Sequence, residues 1–129
     1  RHLTFPMADL KKLSKSFHYA ARGIARVAKE EPNFRTQLWA AAAVVVLMFL
    51  LKLSAAEKAL LLLAAGFVLV LELANSIIER VVDLLQPRVH HYVEEVKDIM
   101  AGAVLVASIG AVLIGLIIFV PHLLALMQR

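Results

Sequence analysis

The sequence predicts an all-α membrane protein in which an N-terminal amphipathic surface helix precedes three transmembrane helices. Of 129 residues, 61% are hydrophobic and only 19% are charged, and the mean hydropathy is +0.79. Soluble globular chains are about 45–50% apolar, so this composition excludes an ordinary soluble domain as well as a disordered chain. The absence of cysteine excludes disulfides and thiolate metal sites. The net charge of +4 lies beside apolar segments, which indicates a lipid surface rather than nucleic acid as the partner.

Residues 8–31 are predicted to form the surface helix, and residues 1–7 a flexible start before a single domain of residues 8–129. Apolar side chains recur in the helix at spacings of three and four residues and form one stripe, namely Leu10, Leu13, Phe17, Ala21, Ile24 and Ala28. Basic side chains occupy the other side, namely Lys11, Lys12, Lys15, Arg22, Arg26 and Lys29. A basic amphipathic helix of this kind lies in the headgroup layer of a membrane. We expect it to end before Pro32, because proline disfavours helical backbone at the preceding residue.

Three apolar blocks predict membrane spans at residues 36–53, 59–84 and 97–120. Residues 38–51 and 59–71 carry no polar side chain, and residues 99–120 contain only Ser108 as a polar exception. A helix needs about 20 residues to cross the hydrocarbon core. The third block reaches this length alone, whereas the second reaches it only if the helix continues through its carboxylates. The alternative, three buried helices of a soluble protein, is disfavoured because nothing amphipathic remains to cover them.

Basic residues are distributed unevenly around the three spans. Residues 1–37 carry eight lysines and arginines, the segment 52–58 carries two, and the segment 80–98 carries three. Cytoplasmic segments of membrane proteins are enriched in lysine and arginine. We therefore expect the N-terminus and the connection between the second and third spans to be cytoplasmic, and the C-terminus to lie outside.

The second span carries a polar face that packing alone does not explain. Its members, Glu72, Asn75, Ser76, Glu79 and Asp83, fall within an arc of about 100° on one side of a helix. A carboxylate at membrane depth costs about 2.5–3.5 kcal/mol, whereas each apolar residue of the same helix returns only about 0.3–0.6 kcal/mol. Glu79 lies about 10 Å from Glu72 along the helix, nearer the cytoplasm. Two carboxylates at two depths suit a reaction between a water-soluble reagent and a lipid. The alternative interpretation of this polar face is structural, with the carboxylates joining helices through an ion pair or a hydrogen bond.

The connection before the third span adds His90, Lys97 and Asp98. A lysine supplies charge to phosphates, and a neighbouring acid holds a metal ion or orients the lysine. The phosphate-binding motif GxxxxGK[ST] is absent, as are the glycine-rich and catalytic-loop motifs of protein kinases. If phosphates bind here, carboxylate-held Mg²⁺ and scattered basic groups must hold them.

Two stretches of the sequence carry most of these polar residues. They are Glu72-Leu-Ala-Asn75-Ser76-Ile-Ile-Glu79-Arg-Val-Val-Asp83 and Val96-Lys97-Asp98-Ile-Met-Ala-Gly102-Ala-Val-Leu105. Together they resemble the signature of the bacterial diacylglycerol kinase/undecaprenol kinase family. The resemblance extends over residues 8–122 and includes the amphipathic helix, Glu31, Asn33-Phe34-Arg35 and the order of the three spans. The segments 101–105 and 115–121 are more similar to the undecaprenol kinase branch of the family.

The resemblance implies a small multi-pass kinase of the bacterial cytoplasmic membrane that works as a homotrimer, with ATP as co-substrate and Mg²⁺ as cofactor. Glu72 matches the catalytic base of the family. Glu31 and Glu79 match the two carboxylates that bind the metal ion. The residues that match nucleotide-binding positions are Lys12, Tyr19, Glu31, Asn75, Glu79, His90, Lys97 and Asp98.

The implied reaction is transfer of the γ-phosphoryl group of ATP to the hydroxyl of a lipid alcohol in the surrounding membrane lipids. The expected acceptor is undecaprenol, which gives undecaprenyl phosphate. Diacylglycerol kinase activity, which makes phosphatidic acid, is the alternative within the family. A small proton-coupled exporter is the alternative of a different class; it would explain an isolated Glu72 but not the other polar residues at the same edge of the membrane.

Overall fold

The computed structural model describes residues 7–86, 88 and 90–129, and four α-helices account for nearly all of them. The helices are α1 (Met7–Glu30), α2 (Pro32–Leu50), α3 (Ala55–Leu85) and α4 (His90–Met127). α1 is strongly amphipathic, and the other three are long and apolar enough to cross a membrane. The structure therefore confirms the predicted all-α fold with one amphipathic helix and three spans. The flexible start predicted for residues 1–7 falls almost entirely on residues 1–6, which lie outside the described residues.

A single residue, Glu31, separates α1 from α2. Its backbone is extended (φ −117°, ψ 111°), and Pro32 begins the next helix. Proline suits the first turn of a helix and disfavours helical backbone at the residue before it, so the sequence favours a break at this position. Arg35 Nη1 donates hydrogen bonds to the carbonyl oxygens of Ala28 (2.9 Å) and Lys29 (2.8 Å). These bonds satisfy carbonyl groups that the last turn of α1 leaves without a helical partner.

The connection between α2 and α3 ends in a capping box. Ser54 Oγ accepts a hydrogen bond from the backbone N–H of Glu57 (3.1 Å), and Glu57 Oε1 accepts one from the backbone N–H of Ser54 (2.9 Å). This reciprocal pair satisfies two backbone donors at the start of α3. Beside it, an apolar cluster joins α2, α3 and α4 at this end of the protein: Met48, Leu51, Leu53, Leu61 and Ile118.

Helix α3 lies at the centre of the chain, in contact with α1, α2 and α4. Its 31 residues extend about 46 Å and the 38 residues of α4 extend about 57 Å, whereas a hydrocarbon core is only about 30 Å thick. Both helices therefore continue beyond the hydrocarbon. Large apolar side chains such as Trp39 and Phe49 remain exposed on the outer surface, as expected where lipid rather than protein covers them. The apolar stripe of α1 is also uncovered by protein, which suits a headgroup location.

Candidate active site

Three glutamates form a carboxylate cluster at the end of the helices opposite the capping box. Glu72 on α3 is only 3% exposed, and Gln37 Nε2 on α2 donates a hydrogen bond to its Oε2 atom (3.3 Å). Glu31, between α1 and α2, is held against α3 by a hydrogen bond from Ser76, and Glu79 lies two turns further along α3 than Glu72. The fold thus brings Glu31, distant in sequence, to the polar face of α3.

A network that we call the Arg80 clamp fixes the position of Glu31; it consists of Glu30, Glu31, Ser76 and Arg80. Ser76 is completely buried, and its Oγ donates a hydrogen bond to Glu31 Oε1 (2.6 Å). Arg80 Nη2 pairs with Glu30 Oε2 at 2.5 Å, and Arg80 Nη1 lies 3.5 Å from Glu31 Oε1. Arg80 Nη1 also donates to the Oγ and, at 3.2 Å, to the backbone oxygen of Ser76. The junction of α1 and α2 is therefore attached to α3 by charge-assisted hydrogen bonds.

Asn75 orients the remaining carboxylate of the cluster. Its Nδ2 donates a hydrogen bond to Glu79 Oε1 at 3.3 Å, across one helical turn. Both side chains are half-buried, so the carboxylate of Glu79 keeps access to solvent.

The donor atoms of the carboxylate cluster fit a magnesium ion that arrives with phosphates. Among the residues that the structure describes, no group of three or more His, Cys, Asp or Glu side chains is arranged to hold a metal ion. Mg²⁺ is commonly bound by only one or two carboxylates together with substrate phosphates and water. Glu31 and Glu79 supply hard oxygen ligands of this type, whereas a zinc site would require a closed set of nitrogen or sulfur ligands.

Lys97 on α4 faces the same end of α3. Its Nζ lies 3.2 Å from Asp83 Oδ1, and the side chains are 40% and 63% exposed, respectively. Both members of the ion pair are therefore substantially open to solvent. The next residue of α4, Asp98, is also exposed. His90 is also predicted to contact the nucleotide, and its side chain lies outside the described part of the chain.

Lys12 and Tyr19 lie apart from the carboxylate cluster within one chain. Both are exposed on α1, and Tyr19 is about 16 Å from Glu30 along the helix axis. The ring of Tyr19 contacts that of His18, with centroids 6.4 Å apart. A single chain therefore brings Glu31, Glu72, Asn75 and Glu79 together but not Lys12 or Tyr19.

Three contributors to the site carried no role in the sequence analysis: Gln37, Glu30 and Arg80. The spacing of four residues between Ser76 and Arg80 was a usable signal, because such pairs meet on one helix face. Gln37 was visible only as a polar residue at the edge of an apolar block. No local sequence pattern indicated that the side chain of Gln37 would contact Glu72.

The fold and site define an integral membrane protein with a carboxylate cluster where its helices approach the aqueous phase. Residues 18–119 match the family described as prokaryotic diacylglycerol kinase. The undecaprenol kinase of Bacillus subtilis strain 168 is 41% identical over 115 residues, which cover 89% of this chain and 94% of that protein. The diacylglycerol kinase of Synechocystis sp. is 40% identical over 113 residues, which cover 87% of this chain and 65% of that protein.

The chain belongs to the prokaryotic diacylglycerol kinase family. It is a membrane-embedded lipid kinase that catalyses ATP-dependent phosphoryl transfer. The family assignment made from the two polar stretches is thereby confirmed, including their similarity to the undecaprenol kinase branch.

Proposed function

We propose that the protein transfers the γ-phosphoryl group of ATP to undecaprenol, giving undecaprenyl phosphate and ADP. The observation that carries this proposal is the burial of Glu72, in contact with Gln37, on a helix long and apolar enough to span a membrane, beside the partly exposed carboxylates of Glu31 and Glu79. Such an arrangement allows a lipid hydroxyl and a nucleotide to meet without either leaving its own phase. The relative of 41% identity named undecaprenol kinase supports this acceptor.

Glu72 acts as the general base in this proposal. A buried carboxylate at hydrogen-bond distance from a lipid hydroxyl accepts its proton as the oxygen attacks phosphorus, an effect that contributes about 10²–10⁴-fold to rate. The hydrogen bond from Gln37 Nε2 to Glu72 Oε2 holds the carboxylate in one orientation and leaves its Oε1 atom for the proton.

Glu31 and Glu79 hold Mg²⁺ in this proposal, and the ion neutralises charge on the phosphate oxygens. The Arg80 clamp orients Glu31, and Asn75 orients Glu79. Lys97 provides a further positive charge for the phosphates and Asp98 orients it. The remaining nucleotide contacts, from Lys12, Tyr19 and His90, complete the site.

The distance of Lys12 and Tyr19 from the cluster supports a homotrimer in which α1 of one copy serves the site of another. The uneven distribution of lysine and arginine supports a cytoplasmic N-terminus, a cytoplasmic α3–α4 connection and an outer C-terminus. With this orientation the carboxylate cluster faces the compartment that contains ATP.

The test is phosphorylation of lipid alcohols by the purified protein in lipid bicelles, with labelled ATP. We expect Mg²⁺-dependent labelling of undecaprenol, with kcat/KM for undecaprenol at least about tenfold above that for diacylglycerol. Glu79→Gln should raise the Mg²⁺ concentration needed for half-maximal rate, whereas Glu95→Gln makes the same change on the exposed surface of α4 and should leave it unchanged.

Two results would contradict the proposal. Preferential labelling of diacylglycerol would show that diacylglycerol rather than undecaprenol is the acceptor, in line with the name of the 40% identical relative. Proton-coupled transport of a solute with no ATP consumption would favour an exporter.

A further inference from the structure

A cavity of about 180 Å³ lies between the C-terminal ends of α2 and α4. The residues that line it are apolar on one side and basic or imidazole-bearing on the other, namely Leu50, Leu51, Ala125 and Leu126, and Lys52, His122 and Arg129. The cavity thus offers hydrocarbon contacts and positive charge in one place. This combination is complementary to an anionic amphiphile.

The cavity lies at the membrane surface opposite to the carboxylate cluster. α2 begins directly after Glu31, and its 19 residues extend about 28 Å. A hydrocarbon core is about 30 Å thick, so Lys52, two residues after the end of α2, lies at the level of the lipid headgroups. Glu57, which is 3.7 Å from the lining residue His122, is about 22 Å from Glu72 along α3. A ligand of this cavity therefore does not enter the active site.

Two of the basic side chains at the cavity have no partner in the described part of the chain. Lys52 and Arg129 are exposed, and their side chains make no hydrogen bond or ion pair with a described residue. The carboxylate of Glu57 is already engaged, because its Oε1 atom accepts a hydrogen bond from the backbone N–H of Ser54 (2.9 Å) and lies 3.7 Å from His122 Nε2. Lys52 and Arg129 are therefore available to an anionic ligand.

The dipoles of the two helices offer a simpler explanation for these cations. Lys52 follows the C-terminus of α2 and Arg129 follows that of α4, and a cation is favoured after the C-terminus of any helix. Such residues commonly donate hydrogen bonds to the last carbonyl oxygens of their own helix. Neither side chain does so here, and both instead line one cavity. The helix dipoles alone do not account for this convergence.

We propose that the cavity binds the headgroup of an anionic phospholipid in the leaflet opposite to the carboxylate cluster. The phosphate group lies against Lys52 and Arg129, and the first methylene groups of the acyl chains lie against Leu51 and Leu126. Basic pockets between membrane helices bind anionic headgroups in this way. Inorganic phosphate fits less well, because it has no hydrocarbon to cover the apolar side of the cavity. The inference does not depend on which lipid alcohol the protein phosphorylates.

Photolabelling of the wild-type protein in phosphatidylcholine bicelles tests the inference. The probe is phosphatidylglycerol with a photoreactive group near its ester linkage, and labelling of residues 118–129 is mapped by peptide mass spectrometry as the fraction of probe is raised. We expect labelling of this segment to saturate. Mapping by segment separates the cavity from the basic surface of α1, which also attracts anionic lipid. Labelling confined to α1 would overturn the inference.

Substitutions at the cavity test the role of the two cations. Lys52→Gln and Arg129→Gln should each raise the half-saturating fraction of probe about fivefold, and together about 30-fold, which is the scale of attraction between single basic side chains and an anionic lipid surface. Lys58→Gln removes the same charge at the same end of α3 from a residue outside the cavity, and should raise it less than about twofold. Equal increases in all three single variants would indicate surface charge alone and overturn the inference, as would an unchanged double variant.

Competition identifies the chemistry of the ligand. Unlabelled phosphatidylglycerol should displace the probe, whereas sodium phosphate should displace no more of it than sodium chloride of the same ionic strength. Displacement specific to phosphate would assign the cavity to a soluble anion and overturn the inference. The carboxylate cluster lies at the other end of the helices, so phosphoryl transfer by the double variant in phosphatidylcholine should stay within about twofold of the wild type. Loss of transfer in that variant would instead place Lys52 and Arg129 in an active site and would also overturn the inference.

Discussion

Removing the guanidinium of Arg80 should destabilise the protein by loosening the junction of α1 and α2 from α3. Arg80→Met keeps the aliphatic stem and removes the partner of Glu30, Glu31 and Ser76. The side chains of Arg80 and Glu30 are 42% and 56% exposed, so solvent screening limits their pair to about 0.5 kcal/mol. The contacts to Ser76 and to Glu31, which is 19% exposed, are more protected and contribute about 1 kcal/mol. The expected loss is therefore about 1.5 kcal/mol.

The assay is reversible unfolding in mixed micelles, with a double-mutant cycle that isolates each partner. The coupling free energies between Arg80→Met and Glu31→Gln and between Arg80→Met and Glu30→Gln should each be about 0.5 kcal/mol, with the rest of the loss due to the contacts with Ser76. The exposed substitution Arg22→Met on α1 is the control and should change the free energy of unfolding by less than about 0.5 kcal/mol. Coupling energies indistinguishable from zero for both pairs would refute the clamp.

Other positions give equally direct tests. Phe34→Ala should lower the free energy of unfolding by about 3–5 kcal/mol, because Phe34 is 1% exposed. Phe49→Ala on the lipid-facing surface should lower it far less, and equal losses would contradict the packing of Phe34. Ser54→Ala should cost about 1 kcal/mol in the same assay by removing the cap of α3, and no loss would mean that the capping box is dispensable. Lys97→Met should raise KM for ATP about tenfold without raising KM for undecaprenol, and the opposite pattern in steady-state kinetics would remove Lys97 from the nucleotide site.

Hydrophobic pattern and helical spacing were enough to predict the fold and the polar face of α3. Both signals are local, since they depend on composition and on angles within one helix. Hydrophobicity marks the part of a helix that lies in hydrocarbon but not the residues at which the helix begins and ends. The apolar block that starts at residue 99 therefore did not show that α4 begins at His90. The two polar stretches then identified the family.

The contacts between helices could not be predicted in this way. Arg80 reaches Glu30 and Glu31 only because the break at Glu31 brings the junction of two helices against α3. Gln37 meets Glu72 across 35 positions of sequence, and no local pattern specifies which faces of two helices meet. The burial of Gln37 Oε1, for which the described residues supply no hydrogen-bond partner, was likewise not predictable from sequence, since it depends on how the helices pack.

Phosphoryl transfer by Glu72→Gln, measured together with nucleotide binding, tests most directly the assignment of a buried glutamate as the base. The substitution keeps the shape of the side chain and removes its ability to accept a proton. With a fluorescent ATP analogue and Mg²⁺, the variant should bind with an affinity within about threefold of the wild type, because Glu31 and Glu79, the carboxylates that we propose hold the metal ion, remain. Its single-turnover rate with undecaprenol should fall by about 10²–10⁴-fold. Transfer at the wild-type rate would contradict the assignment.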